Sequence, residues 1–348
     1  MQLKNLGQSE LRVSSFCLGT MTFGESTSEK DGHVQMDLSI DAGINFFDTA
    51  EMYPTCPLRP ETTGDTEVII GNWIDKNRSK RSDIILATKI SGIGYEAVRS
   101  GEGINRDSIK VAIEGSLQKL KTDYVDLYQL HWPNRGSYHF RQNWNYNPSN
   151  QDTKKANENI LEVLESLSEI QKEGKIRYIG LSNETCWGTI QFLKYLKNFP
   201  NLKLVSTQNE YSLLCRLYDL DMAEMSHHEN ISLLAYSPLA GGFLTGKYLD
   251  GSVPKNSRLS RVSSLFGRIN ENSTLAVKEY VSLARSFNIE PVHMALAFCN
   301  QRPFMGSVIF GATDKLQLTK IINGLDIVLS DELLDELNKL YKKFPITF

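Results

Sequence analysis

Eight short apolar runs punctuate the chain, each closing on a polar residue or glycine. In order they are Phe16–Leu18 closing on Gly19, Ile44–Phe47 on Asp48, Ile84–Thr88 on Lys89, and Val125–Leu130 on His131. Ile176–Leu181 then closes on Ser182 and Asn183, Leu204–Thr207 on Gln208, Ile231–Ala235 on Tyr236-Ser237-Pro238, and Ser307–Phe310 on Gly311. Helical patterns separate them. Strands apolar on both faces belong to a parallel sheet covered by helices. Eight such units favour a closed barrel over an open sheet.

The helices are legible from spacing and stop signals. Arg106–Lys121 puts Ile109, Ile113, Leu117 and Leu120 on one face, and another helix aligns Ile160, Val163, Leu164, Leu167 and Ile170 before Gly174. Ser28–Ala42 stops at Gly43 as a C-cap glycine would stop it. Further helices are expected at Asp65–Lys76, Leu217–Glu229, Thr274–Phe287, Val292–Asn300 and from Asp314, with a last one at Asp331–Lys342. Asn183 is placed to cap the helix after its strand. Met1–Ser14 reads as a small hairpin around Gly7-Gln8. The expected fold is α/β: a (β/α)8 TIM barrel with an N-terminal β-hairpin and a C-terminal extra helix. Without repeat, low-complexity run or linker, the 348 residues read as one domain, 1–348.

Composition excludes several classes. A net charge of −3 gives no electrostatic case for nucleic acid or an anionic membrane. No apolar run approaches the roughly 18 residues of a membrane helix. The five cysteines are scattered and odd in number, with no CxxC pair, which argues against a disulfide scaffold or zinc ribbon. A cytoplasmic location fits thiols kept reduced. His227 and His228 are adjacent and point apart on a helix, so no metal site is expected.

In a barrel of this kind the carboxyl ends of the strands converge on one face, where chemistry sits. Asp48, Lys89, His131, Ser182, Asn183, Gln208 and Tyr236 all fall at those ends, and Tyr53 lies just beyond one. Singly, each has a structural reading: a strand-end acid caps a helix, a lysine is solvated, a histidine packs. Their convergence on one face favours function.

The chain here resembles the aldo-keto reductase family, in a branch near the potassium-channel β-subunits, over nearly its whole length. The likeness rests on LGTMTFG (Leu18–Gly24), GINFFDTAEMY (Gly43–Tyr53), ATK (Ala87–Lys89), DLYQLHWP (Asp126–Pro133), GKIRYIGLSN (Gly174–Asn183), QNEYSLL (Gln208–Leu214), AYSPLAGGFLTGKY (Ala235–Tyr248) and GAT (Gly311–Thr313). It implies a catalytic tetrad of Asp48, Tyr53, Lys89 and His131 that reduces an aldehyde or ketone to an alcohol with NADPH. Carbonyl reduction by hydride leaves an alkoxide that needs a proton. A free phenol titrates near pH ~10, and a neighbouring lysine ammonium is expected to lower that value. Asp48 would hold Lys89 charged, and His131 would donate to the carbonyl oxygen.

No GxGxxG opens a helix after a strand, so the Rossmann fingerprint is absent. The resemblance instead implies an extended cofactor across the barrel face. Ser182, Asn183 and Gln208 would bond the carboxamide, and Tyr236 would stack on the nicotinamide. Ser237, Pro238, Leu239, Ala240, Gly241 and Gly242 would follow the pyrophosphate, with Lys247 and Arg258 on phosphates. Gly19, Thr20, Met21, Asp48, Gly311 and Gln317 complete the implied contacts, and Thr313 would meet the 2′-phosphate. Where the family often has a Glu and an Asn toward adenine, this chain has Lys320 and Ile321. Lys320 is expected to add charge near the 2′-phosphate.

Gly241–Lys247 also fits GxxxxGK, but Tyr248 stands where a P-loop needs Ser or Thr. Two long loops, Trp132–Asn157 and Gly251–Asn270, cover the face, and loops of that length are often functional. Tyr138, Phe140, Trp144 and Tyr146 either wall a pocket, with Met52 and Trp132 nearer the chemistry, or pack the loop down. The insertion Pro54–Gly64 borders Tyr53. Residue pattern alone names neither substrate nor oligomeric state. The rival role is an NADPH-binding redox sensor that regulates a protein partner with little turnover.

Overall fold

A computed structural model describes all residues, 1–348. An antiparallel hairpin, β1 (Leu3–Asn5) and β2 (Arg12–Ser14), precedes the barrel strands. These are β3 (Phe16–Gly19), β4 (Phe46–Asp48), β5 (Ile85–Ile90), β6 (Val125–Leu130), β7 (Ile176–Ser182), β8 (Leu204–Glu210), β9 (Ser232–Tyr236) and β10 (Met305–Phe310). Each pairs in parallel with its sequence neighbour, and β10 closes on β3 through Val308 to Phe16 and Phe310 to Leu18. Together with the surrounding helices and the hairpin, this is the (β/α)8 TIM barrel expected.

Two apolar layers hold it. The larger cluster, 73 residues, fills the space between strands and helices. The smaller, of 10, closes the lower barrel interior: Leu6, Leu11 and Val13 from the hairpin region pack against Cys17, Phe46, Ala87, Leu127, Val205, Leu234 and Ile309. The hairpin is therefore a plug. Because strand side chains alternate, one step of two residues carries the interior from Phe46 to Asp48, from Ala87 to Lys89 and from Leu127 to Gln129. An apolar floor thus gives way to a polar layer at the carboxyl ends.

Helix boundaries agree closely with the sequence pattern where caps are present. Asp65–Lys76 is as expected, and the terminal helix, Asp331–Lys343, starts at a Ser330 cap. The chain's end is tied down: Asn270 Nδ2 donates to Thr347 O at 2.7 Å, and Thr347 Oγ1 to Leu214 O at 3.0 Å. Three expectations change. The loop after Trp132 ends earlier, because Asp152 caps a helix at Thr153–Lys172. The helix expected from Leu217 breaks at Leu220 and runs Asp221–Glu229. Asn183 does not cap the following helix; Thr185 does, its hydroxyl accepting from Gly188 N. Asn183 instead has φ +52° and turns its amide into the barrel mouth. No helix is long and apolar enough to cross a membrane.

Candidate active site

The polar layer begins with Asp48, buried at the end of β4. Its Oδ2 accepts from Lys89 Nζ at 2.6 Å, and Lys89, also buried, donates to Thr49 O at 2.8 Å. The loop beyond Asp48 continues along β5: Thr49 N bonds Ala87 O at 2.9 Å and Glu51 N bonds Lys89 O at 3.2 Å. Tyr53 N then turns back onto Ala50 O, which brings the phenol oxygen to 3.4 Å from Lys89 Nζ. Across the mouth the His131 ring stands edge-on to Tyr53, centroids 5.7 Å apart. Its Nδ1 is buried without a hydrogen-bond partner. The geometry brings Asp48, Tyr53, Lys89 and His131 together.

Electrostatics assign their forms at neutral pH. Burial opposes the Lys89 charge, but Asp48 and Tyr53 outweigh it, so this ammonium titrates above an ordinary lysine. Burial is also the largest influence on Tyr53 and raises its pKa, while Lys89 pulls it down and Asp48 raises it. The net is above the ordinary phenol, so the lowering expected from Lys89 is present but overcome by burial. For His131, burial and then the Lys89 charge depress the pKa well below the usual value. The set is a charged lysine, a protonated phenol and a neutral imidazole.

Sequence reasoning missed several groups that support this set. Gln129 Nε2 donates to Asp48 Oδ1 at 3.0 Å, and stepping back by two from His131 along β6 would have found it. Glu51 accepts from Ser91 N at 2.5 Å and grips the Arg99 guanidinium at 2.5 and 2.9 Å, fixing the loop that carries Tyr53. Glu184 pairs with Arg135. Glu210 takes Arg268 at 2.7 Å and Arg141 at 3.0 Å, joining the two long loops. These partners come from distant loops, and nothing in local pattern links them.

The other candidates fall around the same mouth. Thr20 Oγ1 donates to Asp48 O at 2.8 Å, Gly19 pairs with Asp48 across the sheet, and Met21 O receives Thr55 N at 3.2 Å. Ser182 Oγ donates to Gln208 O at 2.9 Å. Asn183 Nδ2 donates to His131 O at 2.9 Å and its Oδ1 accepts from Tyr236 OH at 2.8 Å. Ser237, Ala240, Gly241 and Gly242 all have positive φ, so the loop Ser237, Pro238, Leu239, Ala240, Gly241, Gly242 coils tightly after β9. A Cβ on Gly242 would sit 3.2 Å from Lys247 Nζ, and one on Gly241 would sit 3.6 Å from Arg258 Cδ. The two cations therefore flank the glycines, and neither has a carboxylate partner.

At the far end, Gly311 and Thr313 follow β10. Gln317 is turned back on this loop, bonding Thr313 Oγ1 at 2.9 Å and Asp314 Oδ2 at 2.7 Å. Lys320 does not extend free toward it; its ammonium pairs with Glu290 at 2.9 Å. Around the loop after β6, Trp132 packs against His131 and Phe140, and Tyr138 against Tyr146, while Trp144 is exposed. Phe140 and Trp132 thus wall the histidine side, and Tyr138 and Tyr146 pack the loop. A cavity of about 440 Å³ lies under that loop, against Ile160, Val163 and Phe192; Trp132 and Ser182 line it, but none of the four central residues does.

The family model described as "Aldo/keto reductase family" matches residues 15–342. The chain is 41% identical over 350 residues to the protein tas of Escherichia coli, covering 99% of each. It is 31% identical over 348 residues to an uncharacterised oxidoreductase, YrpG, of Bacillus subtilis, covering 98% of this chain and 96% of that one. A probable voltage-gated potassium channel subunit beta of Oryza sativa is 29% identical over 355 residues, covering 99% and 98%. The chain belongs to the aldo/keto reductase family and is an oxidoreductase.

Proposed function

We propose that this protein is an NADPH-dependent reductase of a small neutral aldehyde or ketone, with Tyr53 as proton donor. The observation that carries the reading is the Tyr53 phenol 3.4 Å from a buried Lys89 ammonium, itself 2.6 Å from Asp48, beside an imidazole nitrogen with no partner.

The residues fit a dinucleotide. Two adjacent glycines free the backbone for close approach, and two unpaired cations flank them, a donor set suited to a pyrophosphate. Ser182, Asn183 and Gln208 would hold the carboxamide, Tyr236 the nicotinamide ring, and the Thr313 end the adenosine. The bound cofactor supplies hydride. The protein's own residues do the rest. His131, neutral, donates to the carbonyl oxygen and orients it. Tyr53 gives its proton to that oxygen as charge develops, and Lys89 stabilises the phenolate left behind. Asp48 keeps Lys89 charged and in place. Every arginine on the tetrad side of the mouth already has a carboxylate, so that side offers no spare cation to an anionic substrate.

A second reading is favoured by the likeness to the rice channel subunit: a cofactor-binding regulator with little turnover. The chain is read as one domain throughout, and a cytoplasmic location accords with five cysteines free of disulfides. NADPH consumption with a panel of small neutral aldehydes separates the two roles. Turnover that Tyr53→Phe abolishes supports the reductase; cofactor binding without turnover on any aldehyde supports the regulator.

A further inference from the structure

The two oxygens of Asp48 keep different company. Oδ2 faces Lys89 at 2.6 Å. Oδ1 receives two side-chain amides, Gln129 Nε2 at 3.0 Å and Gln208 Nε2 at 2.9 Å. The amides also meet each other, Gln208 Nε2 reaching Gln129 Oε1 at 3.1 Å. Gln129 sits fully buried near the carboxyl end of β6, directly above Leu127 on the barrel interior. An amide in such a place is costly unless both its ends are bonded. Here both are: its NH2 on Asp48 and its carbonyl on Gln208. A leucine of similar volume would suit the layer below. The amide suits only the charge above.

We propose that Gln129 is a positioning residue for proton transfer. With Gln208 it occupies Asp48 Oδ1, fixes the rotation of the carboxylate, and so aims Oδ2 at Lys89 beneath the Tyr53 oxygen. This rests on the reductase reading above and extends it. Gln208, the expected carboxamide anchor, shares that oxygen, and its own amide oxygen takes no protein donor. Gln129 therefore links the cofactor's anchor to the ion pair that controls the proton donor.

The titratable groups around this junction come from four sources besides Asp48. They are Lys89 on β5, Tyr53 on the loop after β4, His131 beyond β6 and Cys17 on β3. Burial, then Asp48, pushes the Cys17 thiol well up, and Lys89 and Tyr53 also lie above their usual values. His131 lies well below its own. An acid placed at position 129 would therefore titrate as a pair with Asp48.

The test is single-turnover reduction of benzaldehyde by NADPH, from about pH 5 to about pH 9, for wild type, Gln129→Leu and Gln129→Glu, with melting curves. Gln129→Leu is expected to slow the reduction about tenfold, the scale of one hydrogen bond to a charged acceptor, with the KM for benzaldehyde little changed. Gln129→Glu keeps the shape. Protonated, it donates to Asp48 as the amide does; ionised, it repels it. Its rate is expected to rise as pH falls, unlike wild type. Variants that melt lower but keep the wild-type rate and pH profile would overturn the positioning role alone. A wild type that oxidises no NADPH with any aldehyde would instead bring down the reductase reading, and this proposal with it. If Gln129→Leu fails to fold, the pH profile of Gln129→Glu decides by itself.

Discussion

Charged residues on the two sides of the barrel mouth are handled in opposite ways. On the side of β4 to β8, the buried and half-buried cations are paired with carboxylates: Lys89 with Asp48 at 2.6 Å, Arg99 with Glu51 at 2.5 Å and Arg135 with Glu184, while Arg141 and Arg268, the latter reaching over from the loop after β9, share Glu210 at 3.0 and 2.7 Å. After β9, the exposed Lys247 and the half-buried Arg258 flank a glycine loop with no carboxylate at all. Charges taken out of water have to be paired, so the first group is a fixed frame whose partners hold loops and a phenol in place. The second group keeps its charge unpaired, and in the proposed function it meets the phosphates of the cofactor. On that proposal one side sets geometry and the other recruits.

The sharpest way to break this comparison is at the fixed side. Tyr53→Phe removes one oxygen and leaves Asp48, Lys89 and Gln129 bonded as before. Carbonyl reduction is expected to fall about a hundred- to ten-thousandfold, the range for a lost general acid, while NADPH binds with unchanged affinity. Near-normal stopped-flow turnover would show that the phenol is not the donor.

The pH profile is the next largest effect, and its sign follows from burial. The proposed reduction needs Tyr53 protonated, and its pKa lies above the ordinary phenol, so the rate should not fall on the alkaline side below about pH 10. It also needs His131 neutral, and that pKa lies well below the usual histidine value. Activity is then lost only as pH falls through the depressed value. The expected profile is a broad plateau with no inflection near pH ~6.5. An inflection there would mean that His131 is solvated and outside the fixed frame. The reverse reaction, which needs phenolate, should instead rise with pH across the alkaline range.

The frame was only partly legible in sequence. The eight strands were, because strands buried on both faces leave unbroken apolar runs, and β6 was read to the residue. The ends of those runs located Asp48, Lys89 and His131. Gln129 is hidden in the sequence, since an amide within an apolar run reads as part of the run; only the step of two shows that it faces inward. Glu51 stood in plain view within the loop, but its partner Arg99 lies 48 positions away. Cap chemistry is local and makes Asn183 a cap candidate, whereas its bonds go to His131, just past β6, and to Tyr236 on β9. Lys89 lowers the Tyr53 pKa, as the residue types imply, but burial outweighs it. Burial is a property of the folded barrel and is invisible in the residue types.

The recruiting side is tested by removing its charges. Lys247→Ala and Arg258→Ala should each weaken NADPH binding about tenfold, the scale of one charge-assisted contact, with little change in the rate of bound cofactor. Added salt should weaken wild-type binding more than binding by the double variant, because exposed charges are screened. A loss of kcat with unchanged affinity would place these cations in the fixed frame instead.

The smallest effect separates Lys320 from that recruiting pair. Its position in the sequence suggested a charge for the 2′-phosphate. In the fold its ammonium pairs with Glu290 at 2.9 Å, and its carbonyl contacts the His293 ring at 2.7 Å. Both charged groups are more than half exposed, and an ion pair of that kind contributes about 0–1 kcal/mol. Lys320→Glu therefore costs a surface pair and little else. NADPH affinity, titrated beside that of NADH, should fall by less than about twofold, against about tenfold for Lys247→Ala. A loss confined to NADPH, with NADH unchanged, would mean that Lys320 leaves Glu290 when a 2′-phosphate is present. The recruiting side would then reach from the glycine loop to the last barrel helix, and the line between paired and spare cations would depend on the ligand.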